Sequence, residues 1–201
     1  NILFKISFPA EFHAQTAVEA AVKLHDKIKD KIDDIKSVEI TTHESAIRII
    51  SKVGELNNPA DRDHCLQYMV AIGLIKGNLV AEDYEDDVAQ DPRIDALREK
   101  MIINEDKRYS KEYLEADKRS IANRIQIHFN DGTSTEEMEV EYPIGHKRRR
   151  GEGIPVLEKK FMDNLAITFN EDITKKIFNL CMNQKELEET SVIDFQNLFA
   201  K

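Results

Sequence analysis

The stretch that most restricts the fold covers residues 121–142. Ile125, Ile127 and Phe129 alternate with polar residues, Asn130-Asp131-Gly132 follows, and Met138, Val140 and Tyr142 alternate on the way back. Period-two alternation puts one set of side chains on one face of a sheet, and an Asp-Gly pair supplies the positive φ of a tight turn. An antiparallel hairpin is therefore expected, closed by Pro143. Two more strands are predicted, over residues 2–8, which stop at Pro9, and over residues 37–42.

The rest is periodic in the helical sense. Ala17, Ala20, Ala21, Leu24, Ile28 and Ile32 recur at three- and four-residue steps and predict a helix over residues 12–32. After the turn signal Asn57-Asn58-Pro59, Asp61 or Asp63 is expected to cap a helix through Cys65, Leu66, Met69, Val70, Ile72 and Leu74 that ends at Gly77. Being apolar on most sides, it is expected to be the most buried helix. A short helix begins near Pro92 with Ile94, Leu97 and Met101 inward. Residues 145–153 read as a Gly-flanked basic loop. Beyond Pro155 only helices are predicted, over residues 156–169, 173–182 and 192–199.

The fold class expected is α+β: helices packed on a small, mainly antiparallel sheet over residues 1–150, then a helical segment over residues 151–201. The tail helices carry apolar faces (Phe161, Leu165, Ile167, Phe169; Ile177, Leu180, Cys181) that need a partner surface. The chain opens on Asn1 with strand-like sequence and no initiator Met, so it reads as a piece of something longer.

Composition narrows the function. With 29 Lys and Arg against 38 Asp and Glu, the formal charge is −9, which argues against general nucleic-acid binding. Mean hydropathy is −0.51, and no apolar run approaches the ~20 residues of a bilayer span; neither nucleic acid nor membrane is expected as a partner. Cys65 and Cys181 form no disulfide framework and no metal spacing, which fits a cytoplasmic protein with reduced thiols.

Three segments hold residue types suited to chemistry. The run His146-Lys147-Arg148-Arg149-Arg150, closed by Gly151-Glu152-Gly153, concentrates positive charge in an acidic chain. Guanidinium groups there could clamp carboxylate or phosphate; the plainer reading is a solvated loop. Between the first strand and helix, Phe8-Pro9-Ala10-Glu11-Phe12-His13-Ala14-Gln15-Thr16 sets an acid, an imidazole, an amide and a hydroxyl beside a helix start. The plainer reading is a capping turn. Lys5, on the strand leading in, would need a counter-ion on a buried face. In Asp61-Arg62-Asp63-His64-Cys65 a carboxylate could orient His64 as an acid/base, or the segment could be an N-cap beside a core-edge histidine. Residues 82–87 are acidic but lack a calcium-loop pattern and read as a solvated face. His25, His43 and His128 sit in periodic segments and carry no assigned role. No phosphate loop, nucleophile elbow or CxxC occurs.

Together, the turn at residues 8–21, Asp61-Arg62-Asp63-His64-Cys65-Leu66-Gln67-Tyr68-Met69-Val70-Ala71, and Gly145-His146-Lys147-Arg148-Arg149-Arg150-Gly151-Glu152-Gly153-Ile154-Pro155 resemble the carboxy-terminal half of the MmgE/PrpD family, in its methylcitrate branch. The match is ordered and spans essentially the whole chain. The resemblance implies an enzyme with a large helical domain, made by the amino-terminal half and the last helices, and an inserted α+β lid. It implies dehydration of 2-methylcitrate to 2-methyl-cis-aconitate in propionate breakdown, with no metal and no cofactor; no cysteine cluster here could hold an iron–sulfur centre. Such an elimination needs a base for a C–H proton, an acid for the departing hydroxide and cations for the carboxylates.

On this resemblance the catalytic candidates are His13 and His64. Lys5 (one residue out of register with the family's lysine), Glu11, Gln15, Arg148, Arg149 and Arg150 are the substrate-binding candidates. The main acid/base residues would lie on the amino-terminal helical domain, the partner of this chain, so the chain alone would be inactive. A homodimer is left open. The alternatives are another family activity, of the cis-aconitate decarboxylase or epimerase type, and a non-catalytic anion-binding or interaction module.

Overall fold

A computed structural model describes residues 6–200. The chain divides into two compact units, residues 1–150 and 151–201. The predicted strand over residues 2–8 falls mostly outside the described residues, and residues 6–8 are bend and coil.

In the first unit a 3-10 turn, Phe12–Ala14, leads into α1, Gln15–Ile28. The helix is lined by small residues: Ala17, Val18, Ala20, Ala21 and Leu24 are all fully buried. Small side chains let another backbone come close, and α4, Leu66–Lys76, uses this when it packs on α1. A Cβ on Gly73 would lie 2.9 Å from the Ala21 Cβ. Residues Leu66 to Ile75 of α4 are buried without exception, which explains a helix that is apolar all round. It stops at Gly77, whose φ of +68° only glycine adopts freely, with its N–H on the Gly73 carbonyl. Neither Asp61 nor Asp63 caps α4: Cys65 stands at the N-cap and its side chain makes no capping bond. The cap in this region is Asn58, whose carbonyl accepts from the Asp61 N–H and starts the single turn α3, Pro59–Arg62.

The sheet has the order β2-β1-β3-β4. β1, Ile35–Thr42, pairs antiparallel with β3, Asn123–Phe129, and β3 pairs antiparallel with β4, Met138–Val140. The edge strand β2, Met101–Glu105, runs parallel to β1, with Val38 opposite Met101 and Ile40 opposite Ile103. The α+β expectation holds. Met101, however, belongs to this strand and not to the preceding helix α6, Pro92–Arg98, which Asp91 caps. Val38, Ile40, Ile125, Ile127 and Val140 form the inner face and join the core with α1 and α4.

The hairpin is present but irregular. Gly132 takes φ +85°, and the Phe129 N–H reaches the Thr133 carbonyl at 2.9 Å. His128 bridges Ser134 and the Thr135 N–H bonds to the Ile127 carbonyl, whereas Ile125 pairs with Met138. One extra residue on the returning strand is thus bulged out, which puts Met138 and Val140 back on the core side.

Helices α2, Glu44–Ile50, α5, Asp86–Ala89, and α7, Lys107–Leu114, complete the unit. The acidic stretch is not wholly solvated. Asp83 is buried, takes the Lys76 ammonium at 2.5 Å and the Val80 N–H at 2.8 Å, and so closes the loop after α4.

The second unit is helical: α8, Arg150–Ala166, α9, Glu171–Met182, α10, Gln184–Glu189, and α11, Val192–Asn197. Asn170, Asn183 and Ser191 cap the last three. Phe161 meets Phe178, and Phe199 meets both Phe169 and Phe195. The expected basic loop ends sooner than its glycines imply, because α8 begins at Arg150 and contains Gly151, Gly153 and Pro155. Proline lacks only one donor there, close to the helix start, where little of the hydrogen-bond ladder precedes it. Among the described residues no helix is long and apolar enough to cross a membrane, and no group of three or more His, Cys, Asp or Glu is placed to hold a metal ion.

Candidate functional site

The 3-10 turn ahead of α1 is a rigid corner. The Gln15 amide nitrogen donates to the carbonyls of Phe8 and Ala10, both at 2.9 Å, and so ties the incoming chain to the helix. From the start of β3, the Asn123 amide donates to the His13 carbonyl at 3.0 Å and to the Thr16 hydroxyl at 2.8 Å, while Thr16 donates to the Ile121 carbonyl. These groups are buried, so each bond replaces water that cannot reach them.

Glu11 caps the corner. One of its oxygens accepts the His13 backbone N–H at 2.7 Å, and both lie 3.0–3.1 Å from His13 Nδ1. The far nitrogen, Nε2, is 3.2 Å from the hydroxyl of Tyr113 on α7. The result is a chain of carboxylate, imidazole and phenol. His43, between β1 and α2, lies against its end, with its ring stacked on Tyr113 at 4.8 Å and 24° and 5.2 Å from the His13 ring. His43 is fully buried. Burial, helped by the neighbouring His13, pushes its pKa down to about 4, against the smaller opposing pull of the Ala122 backbone and Glu11. It is therefore neutral at pH 7.

Of the expected residues, Glu11 and His13 meet directly and Gln15 braces the same turn. Lys5 lies outside the described residues. His64 pairs with Asp63 at 2.5 Å on an exposed loop, and no hydrogen bond, ion pair or ring contact joins it to the Glu11–His13 group. The arginines divide. Arg149 makes a two-pronged ion pair with Glu19 of α1 at 2.8 and 3.0 Å and also donates to the Tyr142 carbonyl. Arg148 donates to the carbonyls of Asp117 and Lys118 and lies over the Tyr142 ring at 4.9 Å. Arg150 and Lys147 are exposed. His146 is buried, accepts the Arg148 N–H through Nδ1 and stacks on Tyr142 at 4.3 Å; burial, then the charges of Arg148 and Lys147, lower its pKa.

His43 and Tyr113 are the residues that sequence reasoning missed. His43 ends an alternating strand and looks like part of it. Tyr113 rides on α7, which was not anticipated although Asp106 supplies a capping signal. Chemically, the chain can move a proton between a shielded imidazole and a phenol.

The profile of the MmgE/PrpD C-terminal domain matches residues 8–184. The chain is 54% identical over 202 residues to a protein of Escherichia coli K12 named 2-methylcitrate dehydratase, an alignment covering 99% of this chain and 42% of that protein. It is also 54% identical over 204 residues to the "2-methylcitrate dehydratase, mitochondrial" of Yarrowia lipolytica, covering 100% of this chain and 39% of the relative. A Saccharomyces cerevisiae protein named "Probable 2-methylcitrate dehydratase" is 56% identical over 178 residues, which is 87% of this chain and 34% of its own. The chain thus spans between about a third and two-fifths of the length of these relatives.

Proposed function

This chain belongs to the MmgE/PrpD family, whose carboxy-terminal domain it carries, and on that premise we propose that it is the lid-bearing part of a hydro-lyase that dehydrates 2-methylcitrate to 2-methyl-cis-aconitate. Residues 1–150 act as the lid, and residues 151–201 return to a helical domain formed largely by an amino-terminal half. The observation that carries the reading is the Glu11–His13 pair, held on a corner braced by Gln15, Thr16 and Asn123. Elimination of water requires a proton source for the leaving hydroxide, and an imidazole paired with a carboxylate is suited to supplying that proton, directly or through a hydroxyl it touches.

The roles follow from placement. Glu11 orients His13 through its backbone N–H and Nδ1. Gln15 keeps the corner closed. Arg148 and Arg149 hold the cationic segment in place through their carbonyl and Glu19 contacts, and exposed Arg150 with Lys147 meets substrate carboxylates. Lys5 and His64 are further carboxylate and acid/base candidates, to be tested by substitution. The compartment proposed is the cytoplasm, in keeping with the free thiols of Cys65 and Cys181.

Joining this chain to its amino-terminal half and following ultraviolet absorbance of the conjugated product tests the proposal. Turnover of 2-methylcitrate is expected. If the intact protein releases carbon dioxide from cis-aconitate instead, the decarboxylase alternative is correct; if it only binds anions, it is a binding module.

A further inference from the structure

His13 is 6% exposed and closed in by Glu11, Phe12, His43 and Tyr113. A group so enclosed does not reach a substrate directly. The member of the chain that leads outward is Tyr113, which is only partly buried and whose hydroxyl is the atom on His13 Nε2. We propose that Tyr113 is the catalytic acid that this chain presents to the substrate, and that His13 acts behind it as the positioning residue that replaces its proton. This assignment rests on the dehydratase reading above and deepens it.

The proton count closes. The step starts from the relay carrying one extra proton, with Nδ1–H of His13 donating to Glu11 and Nε2–H to the phenol oxygen. A general base in the remainder of the enzyme removes the carbon-bound proton, and the C–H electron pair becomes the second bond of the new double bond. The C–O bond breaks with its pair on oxygen, and the Tyr113 proton passes to that oxygen to make water. The His13 Nε2 proton then replaces it on Tyr113, which avoids a phenolate in the site. His13 is left neutral, and the proton taken from carbon restores it through solvent. In the reverse, hydrating direction the same pair removes a proton from water.

His43 completes the arrangement. Glu11, His13 and His43 are titratable groups packed together on the relay. Burial, helped by the His13 ring 5.2 Å away, keeps His43 neutral, so it does not compete for the proton of the relay. Its flat ring against Tyr113 fixes the plane of the phenol without drawing the proton away.

The test uses the whole-length enzyme containing this chain and two substrates: 2-methylcitrate, and an analogue in which fluoride replaces the departing hydroxyl. Fluoride leaves without being protonated. Tyr113→Phe and His13→Gln are each expected to lower kcat on 2-methylcitrate by about 10²-fold or more, with KM unchanged, because that is the scale of general acid catalysis. Both variants should keep most of the wild-type rate on the fluoro analogue. A merely structural role would slow both substrates alike, and that result overturns the proposal, as does an unchanged kcat. Thermal melting reports whether Tyr113→Phe folds; should it not, His13→Gln gives the same comparison. Wild-type enzyme that turns over neither substrate overturns the dehydratase reading, and the Tyr113 assignment with it. Normal wild-type turnover with unaffected variants overturns the assignment alone.

Discussion

Replacing Arg149 with Ala removes one side of a shielded ion pair. The Glu19 side chain is 7% exposed and that of Arg149 17%, with two bonds of 2.8 and 3.0 Å between them. Breaking a buried pair by deleting one partner costs about 3–5 kcal/mol, because the other charge stays behind desolvated. Here Lys23 still reaches Glu19 at 2.8 Å from a half-exposed position, which moves the expected loss to the low end. Arg149→Ala should therefore destabilise the first unit by about 3 kcal/mol. For a unit of this size the melting temperature should fall by roughly 6–12 °C.

The assay is unusually selective. There is no Trp, and all five Tyr residues precede Arg150, so tyrosine emission during urea unfolding reports the first unit alone. The midpoint should fall with an unchanged slope. In a double-mutant cycle with Glu19→Ala, the second substitution should cost much less than it does alone. A loss below about 1 kcal/mol, or additive losses, would mean that the pair is as well solvated as an exposed one and not shielded.

Other expectations follow from the same contacts. Gly77→Ala forces a Cβ into the left-handed region and to within 2.7 Å of the His25 ring, so urea unfolding should show a loss of at least 1–2 kcal/mol, roughly the left-handed penalty alone. His43 has a folded pKa of about 4 against an ordinary 6.5, so the unfolded chain binds more protons between those values. Its contribution is full above pH 6.5 and is lost as pH falls through 4, amounting to about 3 kcal/mol; His43→Phe should flatten this part of the stability–pH curve. Neutralising Arg150 to Gln in the whole-length enzyme should raise KM roughly tenfold, the effect of one lost charged contact, while the melting temperature stays unchanged.

Features set by local pattern were legible in the sequence. The run from Leu66 to Ile75 could only be a buried helix, and Gly77 marked its end. Alternation and the Asp-Gly turn located β3 and its return, though not the bulged residue, which depends on the pairing partner. The parallel edge strand was hidden because Ile94, Leu97 and Met101 continue a helical spacing across the end of α6. Only pairing with β1 makes residues 101–105 a strand.

The site was half legible for the same reason. Glu11 and His13 are two positions apart and announce themselves, whereas His43 and Tyr113 reach them through the tertiary fold. The arginine run shows the same divide. Its charge was plain, but Glu19 lies 130 positions away, so spacing could not reveal that Arg149 is already paired.

The most direct test of the central claim is product analysis by nuclear magnetic resonance, with the whole-length enzyme and 2-methylcitrate. The substrate resonances should be replaced by those of 2-methyl-cis-aconitate, and the conversion should slow by about 10²-fold or more in His13→Gln. Folded protein that leaves 2-methylcitrate untouched would contradict that claim.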